Sequence, residues 1–205
     1  MSGRDRETRE RLLRTAARLF AERGFRKVTV REICRAARAN VAAVNYHFGD
    51  KLGLYREVLQ LATGVLQATT DAARQAGEGG TADEKLRRFV HVHLRRMLGE
   101  RDDWFPRLIN REVADPTPAL DTLVEQGLRP RLEYLAGIVA EILACPTSDP
   151  RVMRSVVSVQ AQSVAYLPSA IGVRLGQKTR LTPAEIDDIA RHVSEFSLAG
   201  IRALA

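Results

Sequence analysis

Cysteine is nearly absent: Cys34 and Cys145 are the only two in 205 residues, with no CxxC pair and no histidine cluster at metal-ligand spacing. That excludes a disulfide-stapled secreted scaffold, argues against a metal site, and fits a reducing cytoplasm in which both thiols fill core space. Long apolar runs are missing too. None approaches the roughly 18 residues of a membrane span, and the N-terminal MSGRDRETRERLL has no hydrophobic segment between its charges and a cleavage site, so no membrane partner is expected. There is no strand-like alternation, internal repeat or low-complexity tract. Catalytic signatures are likewise lacking: no GxSxG elbow, no phosphate-cradling glycine loop, no HExxH, and no Ser, His and acid set at a suggestive spacing. An enzyme is not expected, and no cofactor is implied.

What is present is an ordinary globular composition, 45% hydrophobic and 28% charged, with enough apolar material for a core. The formal charge of +7 becomes informative once located. Residues 1 to 60 hold 14 Lys plus Arg against 7 Asp plus Glu, whereas the other 145 hold 18 of each. All the excess positive charge therefore lies at the N-terminal end, which suits a polyanionic partner; a solvated basic surface or attraction to anionic lipid would read the same from charge alone.

Helical periodicity runs through the chain. Leu12, Leu13, Ala16, Ala17, Leu19 and Phe20 predict a first helix over 6–23, stopped by Gly24. In VTVREI, Thr29 with Glu32 forms a capping box and Val28 with Ile33 a hydrophobic staple, predicting a second helix with Val30, Ile33, Cys34 and Ala37 buried. Asn40 is the next N-cap, for a helix ending near Phe48 before Gly49 and Asp50. Further helices are expected at about 50–74, 83–98, 106–114, 149–167 and 182–202, the last opened by Thr182, Pro183 and Glu185. Another is expected from Thr117 and Pro118 to about Ala144, kinked at Pro130, with GVRLGQKTR irregular. The reading is all-α with about nine helices, divided into an N-terminal three-helix module at 1–50 and a larger helical domain at 51–205.

Two short helices joined by a three- or four-residue turn and braced by a first helix make a helix-turn-helix arrangement. A helix from Val41 to Phe48 would be about 12 Å long, comparable to the width of the B-DNA major groove. Ala42 and Ala43 keep its outer face slim and suit thymine methyl groups, Asn45 suits an adenine edge, and Val41, Val44 and Phe48 are expected to face the core. Tyr46, His47 and Lys51 suit phosphate contacts. The run from Arg9 to Leu61, above all VTVREICRAA followed by VNYHFGDKLGLY, resembles the DNA-binding region of the TetR family of bacterial transcriptional regulators. Within that family it is most similar to members with a CecR-like C-terminal ligand-binding domain; NREVADPTPALDTL, LRPRLEYL and LTPAEI extend a weaker likeness through the remainder.

The resemblance implies that the helix from Val41 to Phe48 reads bases, that Thr29, Tyr46 and Lys51 touch phosphates, and that the C-terminal domain dimerises and binds a small-molecule inducer of unknown identity. The expected partner is then a double-stranded, pseudo-palindromic operator, from which a homodimeric repressor is released; activation is the alternative mode, and a basic adaptor for acidic protein or lipid is the rival class. Three positions depart from the family pattern: Arg38 replaces the turn glycine, Asn40 the usual Ser or Thr, and Leu52 a usually polar residue. If the left-handed turn is kept, Arg38 is strained by about 1–2 kcal/mol and is a candidate phosphate contact.

In the C-terminal part, His91 and His93 lie two apart on a helix and point to different sides, so a shared metal is not expected. His93 reads first as a core histidine, and as pocket lining by the family resemblance. Trp104 and Phe105 are core or pocket. Asn110, Arg111 and Glu112, with Gln160 and Gln162, are candidate ligand contacts because buried polar groups need partners. The last two helices are rich in small residues. Their apolar positions Val152, Val156, Val159, Ile186, Ile189, Val193 and Phe196 complete the core or, as the resemblance implies, form a four-helix dimer interface.

Overall fold

In a computed structural model describing residues 3–99 and 104–205, every regular element is helical: α1 (Gly3–Arg23), α2 (Val30–Ala37), α3 (Val41–Phe48), α4 (Lys51–Ala76), α5 (Ala82–Leu98), α6 (Trp104–Ala114), α7 (Leu120–Leu123), α8 (Arg129–Leu143), α9 (Pro150–Ala165), α10 (Ala170–Arg174) and α11 (Pro183–Arg202). Nine of these have eight residues or more, and α7 and α10 are single turns. Among the described residues no helix is long and apolar enough to cross a membrane.

The boundaries follow from local chemistry. Thr29, Thr81 and Thr182 each accept from the backbone N–H three residues on and receive the glutamate there in return, closing three capping boxes. Asn40 and Asp149 cap α3 and α9 through side-chain oxygens. Gly24, with φ of +81°, ends α1 as expected.

Two readings are corrected. Thr117 and Pro118 do not open a long helix: the Thr117 hydroxyl accepts from Ala119 N–H at 3.2 Å within a turn, and α7 starts at Leu120. The strain at Pro130 is met by a π-helical turn, Val124–Leu128, immediately before α8, rather than by a bent α-helix. Proline has no N–H to donate and its ring would press on the carbonyl four residues back, so widening the preceding turn removes the conflict. Within GVRLGQKTR, Gly172 to Arg174 belong to α10, which Ser169 caps by accepting from Gly172 N–H at 2.9 Å.

The chain packs as two units. Unit 1 comprises residues 1–65 and 102–128; unit 2 comprises 66–101 and 129–205. By packing, then, the N-terminal module extends past residue 50 along α4 and takes in α6 and α7. Its core joins Leu12, Ala16, Phe20, Val28, Ile33, Val44, Leu54 and Val58 with Phe105, Leu108 and Leu123. Phe20 and Tyr55 meet edge to face at 4.9 Å, and Phe25 lies 4.8 Å from Tyr55. In unit 2, Leu86, Phe89, Val90 and Leu94 of α5 pack with Leu135, Val139, Val152, Val156, Ile186 and Val193.

Candidate nucleic-acid interface and an internal polar site

Helices α2 and α3 are separated by Arg38, Ala39 and Asn40, a three-residue turn. Arg38 ends α2 with φ of 50° and ψ of 49°, the left-handed conformation a glycine would ordinarily supply. The turn is closed by Ala39 N–H donating to Cys34 C=O at 2.9 Å and Arg38 N–H to Arg35 C=O at 3.3 Å, and Arg11 Nε binds Ala37 C=O at 2.7 Å. Orphan carbonyls of α2 are thus satisfied from both sides. The Arg38 side chain is exposed and makes no hydrogen bond or ion pair among the described residues.

Val44 and Phe48 anchor α3 in the core, while Ala42, Asn45 and Tyr46 are exposed and Ala43 and His47 half-buried. Val41 departs from expectation: it is 40% exposed. Helical side chains lean toward the preceding turn, and the first residue of a helix has none to cover it. The outer face of α3 therefore reads Val41, Ala42, Asn45 and Tyr46, with Tyr46 and His47 rings in edge contact at 4.8 Å. A slim, weakly charged reading face flanked by basic side chains is the arrangement the major groove admits.

Beyond α3, Asp50 Oδ1 accepts from Gly53 N–H at 2.7 Å and starts α4. A β-carbon at Gly53 would lie 1.9 Å from the Phe48 carbonyl oxygen, so only glycine lets the first turn of α4 pass the end of α3. Two candidate phosphate ligands are already engaged. The Thr29 hydroxyl donates to Glu32 Oε2 at 2.8 Å and accepts from Glu32 N–H, and Lys51 Nζ stands 4.4 Å over the Phe25 ring. Burial lowers the Lys51 pKa, against the opposing pull of Glu32. Glu32 is held at about 2 by the Thr29 backbone N–H, then by Arg23 and the Thr29 hydroxyl. These residues frame α3, and a phosphate would have to compete for them.

Residues 12–58, which carry this geometry, match the family model described as bacterial regulatory proteins, tetR family, and residues 82–201 match the C-terminal domain of the HTH-type transcriptional dual regulator CecR. The chain belongs to the TetR family of transcriptional regulators. The chain is 25% identical over 190 residues, 88% of its length and 82% of the relative's, to the HTH-type transcriptional dual regulator CecR of Shigella flexneri. It is also 30% identical over 134 residues to the probable HTH-type transcriptional regulator YttP of Bacillus subtilis, covering 65% of this chain and 63% of that one. A TetR-family regulator from Streptomyces coelicolor has the same fold, with a TM-score of 0.68 at 22% identity over 96% of both chains. The family and these relatives are regulators, not enzymes.

The ligand candidates of this TetR-family chain fall into two groups. Trp104, Phe105, Asn110 and Arg111 belong to unit 1. Phe105 is a core residue, 2% exposed, with Trp104 half-buried beside it, and Asn110 is exposed. Arg111 binds the carbonyls of Ala21 and Glu22, closing the C-terminus of α1. Glu112 is buried and accepts from Tyr55 Oη at 2.5 Å and from the Thr117 N–H and hydroxyl at 2.9 and 2.8 Å. Burial, then the Glu112 contact, pushes the Tyr55 phenol far up, so the ring keeps its proton. These groups are spent on holding α1, α4 and α6 together: Arg111 and Glu112, the candidate ligand contacts, already have partners within the chain.

Unit 2 holds the others. His93 and Gln160 converge on Arg131, which sequence reasoning missed because it lies between apolar positions of a helix and reads as an outward arginine. Arg131 is 5% exposed; its Nη2 donates to Gln160 Oε1 at 3.1 Å and its guanidinium lies 5.0 Å from the Phe89 ring centre, on which His93 also stacks at 6.3 Å. Gln162 instead donates to Ser197 Oγ at 3.0 Å.

The proposed dimer residues also divide. Val152, Val156, Val159 and Val193 are at most 1% exposed within this chain and offer no surface to a partner; Ile189 is half-buried against the same core. Phe196 is 63% exposed, and Met153, Val157 and Val164 stand out along α9 on an open, apolar groove of about 560 Å³ shared with Leu132, Gln160, Ala161 and Ala165. On α9, Val152, Val156 and Val159 face the core while Met153, Val157 and Val164 face outward, because both faces of the helix are apolar.

Proposed function

We propose that this protein is a homodimeric, ligand-responsive repressor that binds a pseudo-palindromic operator through α3 in the cytoplasm and leaves it when a small molecule occupies the C-terminal unit. The observation that carries the reading is α3 itself: anchored by Val44 and Phe48, it presents Ala42, Asn45 and Tyr46 outward from a segment with twice as many cations as anions. Asn45 supplies a bidentate partner for adenine, and Arg38, Tyr46, His47 and the adjoining basic residues position the helix on phosphates. The exposed apolar groove of Met153, Val157 and Val164 on α9, with Phe196 exposed on α11, supports pairing with a second copy, since exposed apolar patches mark interaction surfaces. Two copies would set two reading helices about 34–36 Å apart. Helix α4 runs through both packing units as one continuous element, and we assign it the transmission of the signal. A tenfold loss of operator affinity requires about 1.4 kcal/mol of coupling, and the operator must weaken inducer binding equally.

Fluorescence anisotropy with genomic fragments tests the reading. Retention should depend on sequence, weaken steeply with salt, and lose its sequence preference in Asn45→Ala. Equal binding to unrelated DNA and to an anionic vesicle would favour the basic-adaptor alternative.

A further inference from the structure

We propose that Arg131, Gln160 and His93 form the anchoring point for a small organic monocarboxylate inside unit 2. The inference rests on the reading that this unit holds the inducer, and names its chemical class. Arg131 on α8 is almost fully buried, yet among the described residues no carboxylate reaches it; the Gln160 amide oxygen and the face of Phe89 are its polar and π partners. A buried guanidinium without a counter-charge is unfavourable, and apolar side chains of similar volume usually replace buried ions at no loss of stability. Packing alone therefore gives no reason for an arginine here.

A second observation points the same way. With its oxygen committed to Arg131, the Gln160 amide leaves Nε2 buried with no acceptor among the described residues. Gln160 Nε2 is thus an unspent donor beside a buried cation with no counter-charge among the described residues, the two placed together by α8 and α9, and an anion's oxygens would answer both. His93 on α5 is held neutral by burial and by Arg131, so the cluster carries one positive charge. One charge is balanced by a monoanion, whereas a phosphate dianion would leave a buried negative excess. A planar carboxylate also matches the guanidinium fork bidentately.

The test compares hexanoate and benzoate with hexanamide and benzamide by thermal shift and calorimetry, on the parent protein, Arg131→Met and Gln160→Leu. A carboxylate should stabilise the parent and bind about tenfold or more tightly than its own amide. Gln160→Leu should weaken that binding and Arg131→Met abolish it. Without any ligand, Arg131→Met should melt no lower than the parent. A clear drop in its melting temperature would mean that the guanidinium holds the core, and would overturn the proposal. So would amides binding as well as acids, or no carboxylate binding at all. If the parent protein still retains DNA in a sequence-dependent way under those outcomes, the carboxylate site fails alone; if it does not, the regulator reading fails with it.

Discussion

Replacing Arg38 with glycine separates what the turn costs from what its side chain does. The residue has φ of 50° and ψ of 49°, a conformation that disfavours a β-carbon by about 1–2 kcal/mol. Glycine relieves this but adds roughly 0.5–1 kcal/mol of backbone freedom to the unfolded chain, so Arg38→Gly should gain about 0.5–1 kcal/mol net. The hydrogen bonds that close the turn are from backbone N–H groups and survive the change. The guanidinium is exposed with no partner among the described residues, so its loss should instead appear on DNA, as a salt slope shallower by about 0.9 for one lost phosphate contact. Arg38→Ala keeps the β-carbon and removes the charge; it should show the shallower slope without the added stability. Urea unfolding measures the first effect and operator titration at several salt concentrations the second. A glycine variant less stable than the parent refutes the strain, and an unchanged slope in both variants refutes the phosphate contact.

Gly53→Ala would place a methyl 1.9 Å from the Phe48 carbonyl oxygen, so it should destabilise unit 1 at the upper end of the roughly 0.5–3 kcal/mol usual for single substitutions and abolish operator binding; a normal melting curve would contradict the close approach. Tyr55→Phe leaves the buried Glu112 carboxyl without its phenol donor and should cost about 1–3 kcal/mol in urea unfolding, while no cost would mean that the bond is immaterial. His93 has its pKa lowered well below 6.5, so below about pH 6.5 the unfolded chain binds a proton that the folded chain refuses. Stability should therefore fall with decreasing pH by up to about 1.4 kcal/mol per unit for this group until the folded pKa is reached, and His93→Gln should flatten that part of the profile; an unchanged profile would place His93 in water.

The elements most legible in the sequence were those with local causes. Thr29 and Glu32, Asn40, Asp149 with Pro150, and Thr182 with Glu185 announce helix starts through bonds spanning two or three residues, and they lie where expected. What needed three dimensions was the facing of residues with apolar neighbours on both sides. Val41 obeys the helical period but lies at an end, and α9 offers Val152, Val156 and Val159 inward and Met153, Val157 and Val164 outward from nearly adjacent positions. Arg131 carries no sequence signal of burial, because what covers it comes from α5 and α9. Arg111 was the converse case: a polar residue on a short helix whose partners, the end carbonyls of α1, lie about ninety residues earlier.

The most direct test of the central claim is a footprint of the full-length protein on DNA fragments selected from the genome by binding. A dimer reading through α3 should protect two half-sites related by approximate two-fold symmetry, centres about one helical turn or a multiple of it apart, with Asn45→Ala losing preference at one base position in each. A single asymmetric footprint, or protection indifferent to Asn45→Ala, would contradict it.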